Sequence, residues 1–175
     1  MKNLSVLICA VCFSILAAGC GTFAQTPEQK AADEALVMSS LQNGDYYIVI
    51  DRIIPRRFPA KESMEGYTVS IKDNVLKCYL PYIGQANFSY PNEDAIAIDA
   101  ENVPVNVKVT MNPPRRKCYA LLEYNFENRY YSETFYCTVE IYTNGMAYVK
   151  VDSQFRDFIN FSGHLEKRPE PKEKK

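Results

Sequence analysis

The side chains able to do covalent or acid–base chemistry are few in these 175 residues. His164 is the only histidine. It follows Asn160 and Ser162 on the polar side of an alternating apolar stretch, where an exposed edge position explains it better than a base or a ligand. No Cys/His spacing suits zinc, and neither a glycine-rich phosphate loop nor a nucleophile elbow is present. The acid pairs Asp33-Glu34 and Glu93-Asp94 read as a helix face and a loop, where solvation accounts for them. The chain therefore reads as non-enzymatic, with no cofactor or metal implied.

Residues suited to binding are more plentiful. "DRIIPRRFP" sets Arg52, Arg56 and Arg57 around a strand end and a Pro-bounded loop, where guanidinium groups could receive an anion; a solvated loop is the simpler reading. "LPYIGQANFSYP" gathers Tyr82, Phe88 and Tyr90 in an irregular segment that would line a pocket mouth or plug one end of a barrel. Cys78, Cys118 and Cys137 each fall on the apolar side of a strand pattern. Free core thiols are expected, since buried cysteine behaves as a small hydrophobe. A Cys118–Cys137 disulfide is the alternative in an oxidising compartment. Tyr119, Tyr136 and Tyr142 project to the opposite side, as a contact surface or beneath a helix.

The elements that must hold these residues are mostly strands. Thr26-Pro27-Glu28-Gln29 has a capping residue, a proline at the first helical position and a glutamine three residues after the cap. Ala31, Ala32, Ala35, Leu36 and Leu41 recur at helical spacing, and Asn43-Gly44 ends the run. Alternation then takes over. Strands are predicted at Tyr46–Ile54, Tyr67–Ile71, Val75–Leu80, Ala95–Ile98, Pro104–Met111, Lys117–Phe126, Thr134–Tyr142, Ala147–Val151 and Phe158–Leu165, a spacing that points to a barrel or sandwich.

Two registers follow from parity, because a one-residue slip turns a strand inside out. A two-residue Asp73-Asn74 turn sets Ile71 opposite Leu76, Val69 opposite Cys78 and Tyr67 opposite Leu80. In "CTVEIYTNGMAYVKV" a two-residue turn would mix the faces. A three-residue loop, Thr143-Asn144-Gly145, pairs Ile141 with Ala147, Val139 with Val149 and Cys137 with Val151, leaving Gly145 left-handed.

The N-terminus has the build of an export signal: Lys2, an apolar run from Leu4 to Ala18, then small residues. A mostly apolar run of fifteen residues falls short of the roughly 20 needed to span a bilayer. Ala17-Ala18-Gly19-Cys20 suits lipoprotein processing with acylation of Cys20; Thr22-Phe23-Ala24 suits simple secretion from Gln25. The first reading divides the chain into a signal peptide (1–19), an attachment site with short leash and helix (20–44), a β-barrel (45–165) and a disordered charged tail (166–175). Removal of 19 residues leaves 156, with 19 basic against 21 acidic side chains. That balance argues against a nucleic-acid partner and leaves the membrane, through the lipid anchor, as the expected one. Localisation is then the cell envelope, on the periplasmic side or the outer membrane, with a soluble periplasmic or secreted form if Cys20 is not acylated.

The segments "IDRIIPRRFP", "GYTVSIKDN", "YLPYIGQA", "YTNGMAYVKV" and "FRDFINFSGHL", in this order, resemble a group of small exported Bacteroidetes proteins catalogued as a domain of unknown function. The resemblance covers roughly Tyr46 to Leu165. Relatives typically carry an aromatic where Ile83 stands, Arg in place of Gln85, and Asn in place of Phe155, beside Arg156. It implies an all-β domain, an antiparallel lipocalin-like β-barrel or barrel-like sandwich of about eight to nine strands behind one N-terminal helix. It implies a cell-envelope setting and brings no activity. Two functional expectations stand side by side. One is a hydrophobic or amphipathic ligand held in the barrel, with Arg52, Tyr82, Gln85, Tyr90 and Arg156 as candidate contacts. The other is a structural or protein-interaction lipoprotein working through its Tyr-rich surface, an edge strand or the charged tail.

Overall fold

The computed structural model describes residues 26–87, 96–128 and 132–170. Cys20, Phe88, Tyr90 and the Glu93-Asp94 pair lie outside them. The chain divides into two compact units, Met1–Lys30 and Ala31–Lys175; every strand belongs to the second.

Helix α1 spans Pro27–Asn43. Its start is a reciprocal capping box: the Thr26 N–H donates to Gln29 Oε1 at 2.9 Å and the Gln29 N–H to Thr26 Oγ1 at 3.2 Å, satisfying two donors that a helix end leaves free. At the other end Gly44 turns left-handed (φ +61°) and the Asp45 N–H reaches back to the Ser40 carbonyl at 3.1 Å, a Schellman closure. The buried residues are Val37 and Ser40, flanked by partly buried Leu36 and Leu41. The expected alanine stripe does not pack: Ala31, Ala32 and Ala35 are exposed, a methyl group having little area to bury compared with Val37 or Leu36. Among the described residues no helix is long and apolar enough to cross a membrane.

Ten strands follow: β1 Tyr46–Pro55, β2 Lys61–Glu62, β3 Thr68–Lys72, β4 Val75–Leu80, β5 Ile98–Pro104, β6 Lys108–Met111, β7 Ala120–Glu127, β8 Thr134–Ile141, β9 Met146–Ser153 and β10 Ile159–Leu165. They form one antiparallel sheet in the order β5-β4-β3-β1-β10-β9-β8-β7-β6, with β2 paired to β1. The first and last long strands are therefore neighbours. Apart from the short β2, the order runs round a barrel in chain sequence and is interrupted at one place, between β5 and β6. There β5 lies beside β7 without ladder pairing. The fold is all-β and barrel-like, but the barrel is hydrogen-bonded only part of the way round.

Both predicted hairpin registers are present. Val69 pairs with Cys78 and Ile71 with Leu76 across Asp73 (φ 52°) and Asn74 (φ 60°), the double left-handed turn that matches strand twist. Ile141 pairs with Ala147, Val139 with Val149 and Cys137 with Val151, and Gly145 sits at φ +78°. The expected Tyr67–Leu80 pair is not in the ladder, because β3 begins at Thr68.

Other boundaries differ. The predicted Pro104–Met111 strand is two: β5 ends at Pro104, the Val105 N–H turns aside to the Asn74 carbonyl at 2.8 Å, and β6 begins at Lys108. Alternating Val105, Val107, Val109 and Met111 mimics one strand, yet Val105 is buried while Val109 and Met111 are exposed. The predicted strand Ala95–Ile98 shares only Ile98 with β5, which runs on to Pro104, and β7 starts at Ala120 instead of Lys117. β1 also carries a bulge: Ile50 pairs with Gly163 and Arg52 with Ser162, leaving Asp51 extra. The bulge lets Ile50 and Ile53 both face inward despite a spacing of three.

The inner face is filled. Phe135, Phe161, Ile48, Ile50, Ile71, Leu76, Leu80, Ile98, Leu122, Ile141 and Ile159 are all below 2% exposure and belong to one continuous core. Small barrels close in this way when side chains occupy the interior.

Candidate functional site

Of the five residues proposed for ligand contact, the structure brings three together at one end of the barrel. Arg156 lies between β9 and β10, in a stretch whose backbone bridges to Ala86. The Asn87 N–H donates to the Phe155 carbonyl at 2.8 Å and the Asp157 N–H to the Gln85 carbonyl at 2.9 Å. Tyr82 ties the same two segments, its hydroxyl within 2.8 Å of the Gln85 carbonyl and 3.1 Å of the Asp157 carbonyl. Gln85 thus contributes through its main chain.

Arg156 is buried at 6% exposure, and each of its three guanidinium nitrogens has an acceptor. Nε donates to Glu133 Oε1 at 2.8 Å, a second nitrogen to Glu133 Oε2, and a third to the Ile96 carbonyl. The Tyr82 and Phe135 rings lie 4.8 and 5.0 Å from its central carbon, within cation–π range. Glu133, at 1% exposure, also accepts from Ser153 Oγ and, at 3.4 Å, from Asn128 Nδ2. Burial alone would raise its carboxyl pKa; the hydrogen bonds from Arg156 and Ser153 outweigh that and hold it below the usual range. Two charges taken out of water are tolerable only when paired and hydrogen-bonded in this manner.

The space beside this cluster, lined by Tyr82, Ile98, Phe135 and Arg156, has no room for a water molecule. A ligand mouth at Tyr82 therefore finds no opening here; Phe88 and Tyr90 of the same segment lie outside the described residues. On the solvent side Asp157 is held by Arg57 Nε at 2.8 Å and Arg56 at 3.1 Å. Burial pushes its pKa up, and the two guanidinium groups more than reverse that. The arginine-rich loop thus clamps a carboxylate of its own chain. Arg52 stands apart, paired with Glu62 of β2 at 3.1 Å on the exposed face.

Cys78, Cys118 and Cys137 are free and buried, as the sequence reading expects. A Cys118–Cys137 bridge is excluded by register: Cys137 pairs with Tyr124, six residues along the chain from Cys118, or roughly 20 Å at strand rise, against the approximately 7 Å limit for a disulfide. The start of the expected tail, residues 166–170, is not free, and residues 171–175 lie outside the described ones. Arg168 donates to Asp45 Oδ1 at 2.6 and 2.9 Å and to Ser70 Oγ at 2.6 Å, and sits 5.5 Å from the Tyr47 ring. Its charge found fixed partners at the helix–strand junction. The three surface tyrosines divide. The Tyr119 hydroxyl meets Met38 of α1 at 3.1 Å and Tyr142 donates to Glu140 at 2.9 Å, while Tyr136 is 56% exposed.

Phe135 falls on the apolar side of the predicted Thr134–Tyr142 strand, whereas Glu133 and Asp157, which complete the cluster, carry no sequence signal. Glu133 sits in "SETFY", where an acid before a strand reads as a solvated turn, and nothing local announces a buried arginine partner.

No curated protein matches the chain. A crystal structure of a DUF4251 family protein from Bacteroides eggerthii DSM 20697 is similar at 14% sequence identity and TM-score 0.53, covering 78% of this chain and 90% of that one; at such identity the likeness concerns the fold. The family model for the domain of unknown function DUF4251 matches residues 28–165, which takes in all but the first residue of the helix, the ten described strands and the Arg156–Glu133 cluster. The chain belongs to the DUF4251 family.

Proposed function

We propose that this DUF4251 protein is a non-enzymatic protein of the cell envelope, held to a membrane by acylated Cys20, and that it acts by binding other protein surfaces. The observation that carries this reading is the filled interior. With eleven large side chains below 2% exposure on the inner face and the Tyr82 end closed by an ion pair, recognition falls to the outer face, the loops and the strand edges. Apolar side chains there, among them Tyr136, Tyr79, Val109 and Met111, supply contact area of the kind protein interfaces use.

The anchor and the contact are tested separately. Intact mass of the mature protein should equal residues 20–175 plus a diacylglyceryl and an N-acyl group; a mass starting at Gln25 would remove the anchor. Crosslinking in intact membranes followed by affinity capture should return a discrete protein adduct. The adduct should survive a core-enlarging substitution such as Val139→Ile. Capture of nothing but uncrosslinked protein would remove the interaction role.

A further inference from the structure

The sheet order leaves β6 as one end, and its backbone parity can be fixed from its neighbours. The Tyr142 N–H bonds the Met146 carbonyl, so even-numbered residues of β8 point their amide groups toward β9 and odd-numbered ones toward β7. Carried through the β7–β8 and β6–β7 registers, this turns Lys108 and Thr110 toward β7. The Asn112 N–H, bonded to the Tyr119 carbonyl at 2.8 Å, agrees. Val109 and Met111 therefore present N–H and C=O outward, with no strand beyond them among the described residues. Their side chains belong to the inner, apolar face, opposite Leu122 and Ala120, yet are 42% and 43% exposed. An open edge with bare apolar side chains is a template for another strand.

We propose that this edge pairs with the β6 edge of a second copy, antiparallel about a two-fold axis through Thr110. The register is set by the sequence "KVTMN". Only with Thr110 opposite Thr110 do the outward groups of Val109 meet those of Met111 in the second copy, and the reverse, making two doubly hydrogen-bonded pairs. Side chains agree with that choice. Val109 meets Met111 twice on the apolar face, threonine meets threonine on the polar face, and each Lys108 falls opposite Asn112, away from the other Lys108. Such a contact is isologous and closes on itself. Lys108 is already neutralised within its own chain by Glu123 at 3.1 Å. This inference names one partner for the surface role proposed above; the two can fail separately.

The test is a cysteine placed at the axis. Non-hydrogen-bonded antiparallel positions bring Cα atoms to about 4.5 Å, within disulfide range. Thr110→Cys should give a disulfide-linked dimer under mild oxidation at least about tenfold faster than Lys108→Cys, which faces Asn112, or than the parent protein. Val109→Pro removes an outward N–H and leaves the β6–β7 ladder intact, as edge strands permit. Combined with Thr110→Cys it should abolish the crosslink while the circular dichroism spectrum stays unchanged. Sedimentation of the parent should show its mass average rising toward the dimer at concentrations up to about 1 mM, the weak range expected of a short edge contact, and the proline variant should stay monomeric. Equal crosslinking rates for Thr110→Cys and Lys108→Cys, or a parent that stays monomeric throughout, would overturn the proposal. So would a Thr110→Cys adduct in membranes that contains a different protein, although the surface role would then survive.

Discussion

Gly163 is the residue whose identity the backbone dictates most strictly. A Cβ built there would lie 2.0 Å from the Val49 carbonyl oxygen and 2.9 Å from its carbon, both backbone atoms that cannot swing aside. The approach comes from the bulge at Asp51, which presses β1 onto β10. Gly163→Ala should lower unfolding free energy by about 3 kcal/mol, as overpacking does, read as a lower urea midpoint at unchanged slope. On the next residue, His164 lies 2.8 Å from Asp51 and 3.0 Å from Glu166; in the ladder it is paired with Val49 of β1 and Met146 of β9, neither of them charged. Burial works against its protonated form, and the two carboxylates more than compensate, so its pKa lies above the ordinary 6.5. Because the folded value is the higher, the stabilisation is fully present below pH 6.5 and fades as pH rises through the folded pKa. With 41% of the side chain exposed, screening leaves about 0.3 kcal/mol. A proton NMR titration should place the His164 midpoint above 6.5, and a midpoint below it would contradict the geometry.

At the scale of elements, the ion pair of Arg156 and Glu133 joins the start of β8 to the stretch before β10 and, through Tyr82, to the loop after β4. Glu133→Ala strands a buried guanidinium and should cost about 3–5 kcal/mol in chemical denaturation. Arg156→Met with Glu133→Leu should recover most of that loss, since no charge is then left unpaired. The folded pKa of Glu133 is depressed, so its contribution is present above the ordinary 4.5 and is lost as pH falls through the folded value. Cysteine reactivity belongs to the same scale, because the strands bury the thiols. Burial drives Cys78 up to about 12 and Cys137 well above the usual range. A thiol reagent at pH 8 should label neither in the native protein and both in urea. Labelling of either thiol without denaturant would show that the seam between β5 and β7 opens.

Across the whole molecule, what could be read in advance was whatever is local and periodic. The capping box needs four residues, and the two hairpins need only parity across a turn, so "SIKDNVL" and "IYTNGMAYV" disclosed register as well as strands. The break between β5 and β6 was hidden because Val105 to Met111 alternates through it without interruption. The bulge at Asp51 depends on a glycine 112 positions further along the chain. Tyr82 and Arg156, both named as ligand contacts, lie together around a buried ion pair. Only the partner Glu133, separated by 23 positions from the arginine, turns a binding pair into a buried strut, and long-range pairing of that sort has no period.

Among the described residues, the one ladder joining β5-β4-β3-β1 to the run from β10 to β6 is that between β1 and β10. Its termini lie at one end, Ile48 beside Leu165. Tension applied through both ends of the chain would peel this ladder one rung at a time, the geometry of a zip. The first rung is guarded by Arg168, whose grip on Asp45 and Ser70 spans the mouth of the zip like a clasp. Under such a pull the Arg168 contacts would have to yield before the rungs behind them, which gives an arginine from what reads as a charged tail a place in the resistance of the fold to load.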